Sequence, residues 1–171
     1  LFNKYKNPTK GFRFVPKVEA QEKIINNTDK RTPVAKETEE ILIDLLEYCK
    51  TTECNYLFVV SPYSELEKHK ECYNYISDIV TQYGYNFLDA NDYYDEMDLN
   101  FNTDLYNSTH VNILGADKYT DFLCKYLKEN YNLSDRRENE NYQEWFDLLD
   151  NWNKQVENTK NTIKTLLKEK T

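Results

Sequence analysis

The two histidines of this 171-residue chain lie in different surroundings. His69 stands in the charged helical stretch 67–71, so we expect a solvated surface residue. His110 follows Asp104 and Asn107 in a polar loop just before a helical pattern. A histidine there can take a proton from a hydroxyl nucleophile. A lone loop histidine is more often structural, so its position alone makes His110 only a candidate for catalysis.

The composition argues against several functional classes. A net charge of −8 is unfavourable for nucleic-acid binding, because phosphate backbones are held by clustered Lys and Arg. The three glycines, at positions 11, 84 and 115, are too far apart for a Gly-rich phosphate loop. No stretch approaches the roughly 20 apolar residues that cross a bilayer, so we expect no membrane segment. We also expect no bound cofactor.

One acidic loop has the alternating oxygen side chains of a calcium site. Its members are Asp98, Asn100, Asn102 and Asp104. It lacks the glycine at the sixth position and has Thr109 where a bidentate Glu is required, which favours a solvated loop without calcium. Zinc is less favoured still, because His69 and Cys72 share a helix but have no second close pair. We therefore expect no metal site.

The first half of the chain predicts a helix followed by a buried strand. Thr32-Pro33 is typical of a helix N-cap followed by proline at the first helical position. The apolar stripe after it predicts one helix face, with members Val34, Thr38, Ile41, Leu42, Leu45 and Cys49. The continuous apolar run 56–60 predicts a strand buried on both faces, as in a parallel sheet.

A second helix–strand pair and a third helix follow. Ser64 and Glu67 form a capping-box pattern, and Gly84 stands where that helix should stop. Residues 86–89 predict a short strand, residues 90–112 an acidic loop, and residues 115–131 a helix. This order predicts an α/β fold with right-handed crossovers. Two strands do not make a stable open sheet, so we expect further strands in residues 1–31 or outside this chain.

The C-terminal stretch differs from the rest in its periodicity. Apolar residues spaced alternately three and four apart run from Tyr142 to Leu166 and form a heptad-like seam. The seam either docks along its own domain or pairs with a second chain, as a homodimer through residues 142–166. The chain thus divides into an irregular segment 1–31, an α/β part 32–134 and a long helix 135–171.

The four cysteines show no metal or redox spacing. Cys49, Cys72 and Cys124 fall on helical apolar positions and are interpreted as core thiols. A Cys49–Cys54 disulfide stays open as an alternative if the protein is exported.

The stretch from Asp104 to Thr120 resembles the late block of SGNH (GDSL-type) hydrolases, whose members carry Asp-x-x-His there. It is most similar to the bacterial cell-envelope branch of that superfamily, such as the D-alanine transfer protein of teichoic acid synthesis. The predicted strands resemble the late parallel strands of that fold, and residues 135–145 resemble a tail found in the branch. The resemblance implies the C-terminal half of a flavodoxin-like three-layer domain on the outer face of a bacterial membrane.

The resemblance also implies roles for the candidate residues. His110 would be the general base for a serine hydroxyl. Asn107 stands where the family has the Asp that orients the imidazole, and Asp104 is an alternative source of the acid. An amide can hold the ring but supplies no charge to the imidazolium.

The family's Gly-Asp-Ser nucleophile block is absent, and none of the serines lies in such a turn. Because the chain begins with Leu, we expect it to be part of a longer protein that holds the nucleophile, and we expect this part alone to be inactive. One hypothesis is therefore the C-terminal part of an esterase or acyltransferase acting on acyl esters of a cell-envelope polymer. The alternative is a non-catalytic SGNH-like binding or assembly module that uses the helical seam.

Overall fold

The structure is a computed structural model that describes residue 9 and residues 11–169. The chain is mixed α/β, with about half of the described residues in helices and few in strands. It divides into two compact units. The parallel-sheet unit is Glu22–Asp95, and the hairpin unit combines the described residues up to Gln21 with those from Glu96 onward.

The parallel-sheet unit contains helix α1 (Lys36–Lys50), strand β1 (Leu57–Val60), helix α2 (Glu67–Gln82) and strand β2 (Asn86–Asp89). The two strands pair in parallel, from Leu57 opposite Asn86 to Val60 opposite Asp89. Both predicted strands and the helix between them are confirmed. Helix α2 ends as predicted, because Gly84 adopts a φ of +85°, which glycine tolerates best.

One of the two expected sources of further strands is not found. Within the described residues, β1 and β2 form a sheet by themselves, and the described part of segment 1–31 contributes no strand. Strands outside this chain stay a prediction. The predicted burial of β1 on both faces is wrong, because Val59 is 37% exposed. Since only β2 pairs with it, β1 is an edge strand here, and edge strands are not enclosed as central parallel strands are.

Both predicted N-caps are wrong, because each hydroxyl has a long-range partner. Helix α1 begins after Ala35, while Thr32 Oγ1 donates to Glu71 Oε2 at 2.6 Å. Helix α2 begins after Leu66, while Ser64 Oγ donates to the backbone oxygen of Glu22 at 2.8 Å. Tertiary hydrogen bonds therefore use the two groups that the local pattern assigned to capping.

The buried face of α1 is partly displaced from the predicted stripe. Ile41 and Leu45 of that stripe are 69% and 47% exposed, whereas Leu46, outside it, is buried. Cys49, the last member of the stripe, is buried as predicted. The helix carries two apolar stripes with the same period, offset by one residue or about 100°. Periodicity identified the helix but did not determine which stripe faces the core.

The hairpin unit carries a second, antiparallel strand pair. Strand β3 (Leu105–Asn107) and strand β4 (His110–Val111) form a short hairpin, followed by helix α3 (Ile113–Asn130). His110 therefore lies in a strand and not in the predicted loop. Asn112 is the N-cap of α3, since its Oδ1 accepts from the backbone N–H of Leu114 at 2.9 Å. Helix α3 consequently starts two residues before the predicted position.

The C-terminal stretch folds into a 3₁₀ turn, helix α4 (Gln143–Asp147) and the long helix α5 (Leu149–Glu169). Ile163 is fully buried in a core with Val18 and Ile113. The centroid of the Trp152 ring lies 5.0 Å from the ring centroid of Phe14 and 5.2 Å from that of Phe12. From Trp152 onward, the apolar seam thus packs on its own unit. No helix in the described part of the chain is long and apolar enough to cross a membrane.

The four cysteines are free thiols in this structure. Cys49 is buried, as expected for a core thiol, but Cys124 is exposed and its predicted core position is wrong. The alternative Cys49–Cys54 disulfide is not formed.

Candidate active site around His110

The β3–β4 hairpin brings Asn107 and His110 opposite each other. They are cross-strand partners on either side of the turn residues Ser108 and Thr109. The turn forms locally because Asn107 Oδ1 accepts the backbone N–H of Thr109 at 3.0 Å, the side-chain-to-backbone bond that makes Asn favourable in turns. A separation of three residues in sequence therefore becomes direct contact.

One oxygen sets the orientation of the His110 ring. Because a backbone N–H only donates, its bond from Thr109 identifies the Asn107 atom at this position as the amide oxygen. His110 Nδ1 lies 3.1 Å from the same oxygen. Two acceptors would repel at that distance, so Nδ1 carries a proton, and in the neutral imidazole Nε2 has the lone pair. This is the tautomer that a general base of the serine-hydrolase type requires.

Two further contacts hold the imidazole. The rings of Tyr106 and His110 are stacked, with centroids 5.1 Å apart and planes 16° from parallel. Thr109 Oγ1 lies 2.9 Å from His110 Nδ1. The His110 side chain is nonetheless exposed, and among the described residues Nε2 has no hydrogen-bond partner. Its basic nitrogen is therefore open to a hydroxyl group brought by another molecule or segment.

Asp104, the third predicted site residue, has partners other than His110. Its carboxylate is 2% exposed and accepts from the Asn100 N–H at 2.8 Å and the Thr103 hydroxyl at 2.7 Å. Lys118 Nζ forms an ion pair with it at 2.9 Å. Burial by itself lowers the pKa of Lys118, but the hydrogen bond and charge of Asp104 outweigh this and raise it. The structure thus brings Asn107 and His110 together, while Asp104 stabilises the loop before the hairpin.

The backbone of the hairpin lies directly on the start of α3. The Asp104 carbonyl accepts the Asn112 N–H at 2.8 Å. A Cβ on Gly115 would lie 2.5 Å from that carbonyl oxygen and 2.9 Å from Val111 Cβ. Only glycine fits this approach. Sequence reasoning used Gly115 as a helix start and missed this role.

Within the described part of the chain, His110 has neither a hydrogen-bonded serine nor a metal-binding cluster beside it. The chain has five serines (Ser61, Ser64, Ser77, Ser108 and Ser134), and none of them is hydrogen-bonded to His110 within the described residues. No group of three or more His, Cys, Asp or Glu side chains in the described part of the chain is arranged to hold a metal ion. The hydroxyl that contacts the ring among the described residues, that of Thr109, lies at Nδ1 and not at Nε2.

The other histidine differs from its prediction. His69 is half-buried, and its Nδ1 lies 3.1 Å from the Tyr63 hydroxyl, so the expected solvated position is wrong. It belongs to the parallel-sheet unit and not to the hairpin.

Comparisons of the chain with protein-family models, with curated proteins and with solved structures find no match.

Proposed function

We propose that His110 is the general base of an SGNH-like esterase or acyltransferase that acts on acyl esters of a cell-envelope polymer outside the bacterial membrane. The observation that carries this proposal is the 3.1 Å contact between Asn107 Oδ1 and His110 Nδ1, which leaves Nε2 as the open acceptor. The parallel pair β1–β2, with α2 as its crossover, is compatible with the C-terminal part of a flavodoxin-like three-layer fold.

In this proposal, His110 Nε2 takes the proton of a serine hydroxyl while the serine oxygen attacks the ester carbonyl. The imidazolium then protonates the departing alkoxide, and an acyl-serine results. Water, or the hydroxyl of an acceptor, attacks the acyl-serine with the same base. Asn107 Oδ1 accepts the hydrogen bond from Nδ1–H throughout, and so it orients the ring without providing a negative charge.

The absence of a carboxylate at position 107 has a predictable cost. In a serine-protease triad, replacing the orienting Asp by Asn lowers the rate roughly 10⁴-fold. Here the ring has the correct tautomer, so the loss of rate should arise because no negative charge stabilises the imidazolium. We infer a slow base, and we place its serine nucleophile on polypeptide outside these 171 residues.

The test uses the product of the complete open reading frame that encodes these residues, assayed on p-nitrophenyl acetate. His110→Ala should lower kcat/KM by about 10²-fold, because a triad is worth roughly 10⁶ in all and roughly 10⁴ of that is already lost without the carboxylate. The matched control is His69→Ala, which removes the chain's other histidine and should leave the rate unchanged. Equal rates for His110→Ala and the unmodified protein would contradict the proposal.

A second variant tests the role of Asn107. Asn107→Asp supplies the missing charge at the same position and should raise kcat, with little change in KM. A lower kcat in this variant would show that the amide is not standing in for a carboxylate.

One observation favours the alternative of a binding module. Large apolar side chains at the start of the C-terminal helices are exposed: Tyr142 39%, Trp145 58%, Phe146 39% and Leu149 47%. Such a patch is suited to a protein partner or a second copy. Sedimentation velocity of the chain and of a Trp145→Ala/Leu149→Ala variant separates the cases. A dimer that the double substitution dissociates favours the module, and a monomer in both counts against it.

A further inference from the structure

The parallel-sheet unit contains a polar cavity of about 90 Å³. It lies where β1 and β2 end, since Glu65 follows β1, and Asn91 and Tyr94 follow β2. Ligands of α/β proteins bind outside the carboxyl ends of parallel strands. Among its lining residues are Lys23, Asn26, Glu65, Asn91, Tyr94 and Asp95. A volume of this size exceeds that of one water and suits a small polar molecule.

The Glu65 carboxyl group in this cavity is half-satisfied. The residue is 2% exposed, and Asn26 Nδ2 donates to its Oε2 at 3.2 Å. Its Oε1 is buried and has no hydrogen-bond partner among the described residues. An unpartnered buried polar atom is uncommon and unfavourable, because its hydration is lost without replacement. The described residues therefore supply no hydrogen-bond donor to this oxygen.

The neighbouring carboxylates are already paired. Lys70 Nζ lies 3.1 Å from Asp89 and also contacts Asp92. Lys23 Nζ lies 2.5 Å from Asp95. The region in and around the cavity thus contains four carboxyl groups, counting Glu65, and two ammonium groups. Among the described residues, Glu65 is the one of the four that forms no ion pair.

We propose that this cavity binds a small ligand with a primary ammonium group, which donates to Glu65 Oε1. An ammonium group supplies both the missing donor and a positive charge, whereas a hydroxyl group supplies only the donor. A metal ion is a poorer fit, because the described residues hold no set of three metal-ligating side chains. This inference goes beyond the proposed function and does not depend on it.

The ionisation of Glu65 gives the proposal a pH signature. Burial, followed by the charge of Asp89, raises the pKa of Glu65 to about 7 in the empty cavity. An ammonium ligand favours the carboxylate, so binding should be about tenfold tighter at pH 8 than at pH 6. Other groups facing Glu65 are Asp89, Asp92, Lys70, Tyr63 and Tyr94. Burial raises the pKa of both phenols further, so they stay neutral across this range.

The experiment is an NMR titration of the chain with ethanolamine at pH 8 and pH 6 and at fixed ionic strength. Ethylene glycol is the matched neutral probe, because it replaces only the ammonium group by a hydroxyl. Ethanolamine should give saturable shifts at the amides of Glu65, Asn26 and Asn91, with the tenfold pH effect. In the unmodified chain, ethanolamine should also lower the titration midpoint of the Glu65 carboxyl carbon.

Glu65→Gln keeps the side-chain shape but removes the charge, and it should abolish the saturable shifts. Glu53→Gln is the control, since Glu53 is an exposed loop residue and its replacement should change nothing. Equal binding of ethylene glycol would overturn the proposal in favour of a hydroxyl ligand. Retained binding in Glu65→Gln, or no saturable shift and no change in the Glu65 midpoint, would also overturn it. None of these outcomes affects the esterase assay of His110.

Discussion

Asn107 Oδ1 and His110 Nδ1 lie 3.1 Å apart across the β3–β4 turn, and the amide oxygen is oriented by a second bond from the Thr109 N–H. This contact selects the Nδ1–H tautomer of the ring. In Asn107→Ala the selection is lost, so the Nε2–H form, which free imidazole side chains prefer in water, should become the major one. The ring ¹⁵N chemical shifts of His110 measure the two populations.

Thr109→Val is the matched control for this prediction. It removes the hydroxyl 2.9 Å from Nδ1 but retains the backbone N–H that orients Asn107. The Nδ1–H form should persist in this variant. If Thr109→Val changes the tautomer and Asn107→Ala does not, the hydroxyl and not the amide controls the ring.

Removing the ammonium group of Lys118 should destabilise the hairpin unit. The Asp104 carboxylate is almost fully buried, and in Lys118→Met it would lose its cationic partner while keeping its burial. We expect a loss of about 1–3 kcal/mol in the free energy of unfolding, measured by urea denaturation. Lys125→Met, an exposed site on the same helix, should lie within about 0.5 kcal/mol of the unmodified chain.

The two tryptophans should differ in their contribution to stability. Trp152 packs against Phe12 and Phe14, and Trp152→Ala should cost about 2–4 kcal/mol. Trp145 is 58% exposed, and its replacement by Ala should change stability by less than about 1 kcal/mol. Thermal unfolding followed by circular dichroism measures both. Equal losses would contradict the packing of α5 on its own unit.

Glu65 predicts an unusual dependence of stability on pH. Its pKa is about 7 in the folded chain, against an ordinary 4.5 when unfolded. Between these two pH values the unfolded chain has released the Glu65 proton and the folded chain has kept it. The contribution of Glu65 to the free energy of unfolding is therefore complete below pH 4.5 and is lost by about pH 7. Between pH 4.5 and pH 7.5, the free energy of unfolding should fall by about 3 kcal/mol more in the unmodified chain than in Glu65→Gln. Urea denaturation of both proteins at pH 4.5 and pH 7.5 measures it, and parallel pH profiles would contradict the assignment.

The sequence predicted elements better than it predicted their contacts. Strand β2 and the stop at Gly84 follow from local patterns that no distant residue opposes. The caps at Thr32 and Ser64 failed because their hydroxyl groups bond to residues about 40 positions away. A local sequence pattern does not show such distant partners. It also does not show which of two equivalent apolar stripes, as in α1, faces the core.

In the candidate site, too, contacts with distant residues were not predicted. The pair Asn107 and His110 was predicted from the resemblance to the Asp-x-x-His block, although residues 104–110 were expected to form a loop and not a hairpin. The position of Asp104 was not, since its partner Lys118 lies on a helix 14 residues further on. Glu65 was treated only as a spacer inside the expected capping box, so its burial and its unpartnered oxygen were missed.

The missing side chain at Gly115 has a consequence for how this region can vary. Because the Asp104 carbonyl lies against the first turn of α3, this contact fixes the main chain beside the hairpin independently of the side chains in the turn. A substitution at Asn107 therefore changes what orients the His110 ring but leaves this main-chain contact in place. The side chains of the turn can vary as long as position 115 remains glycine.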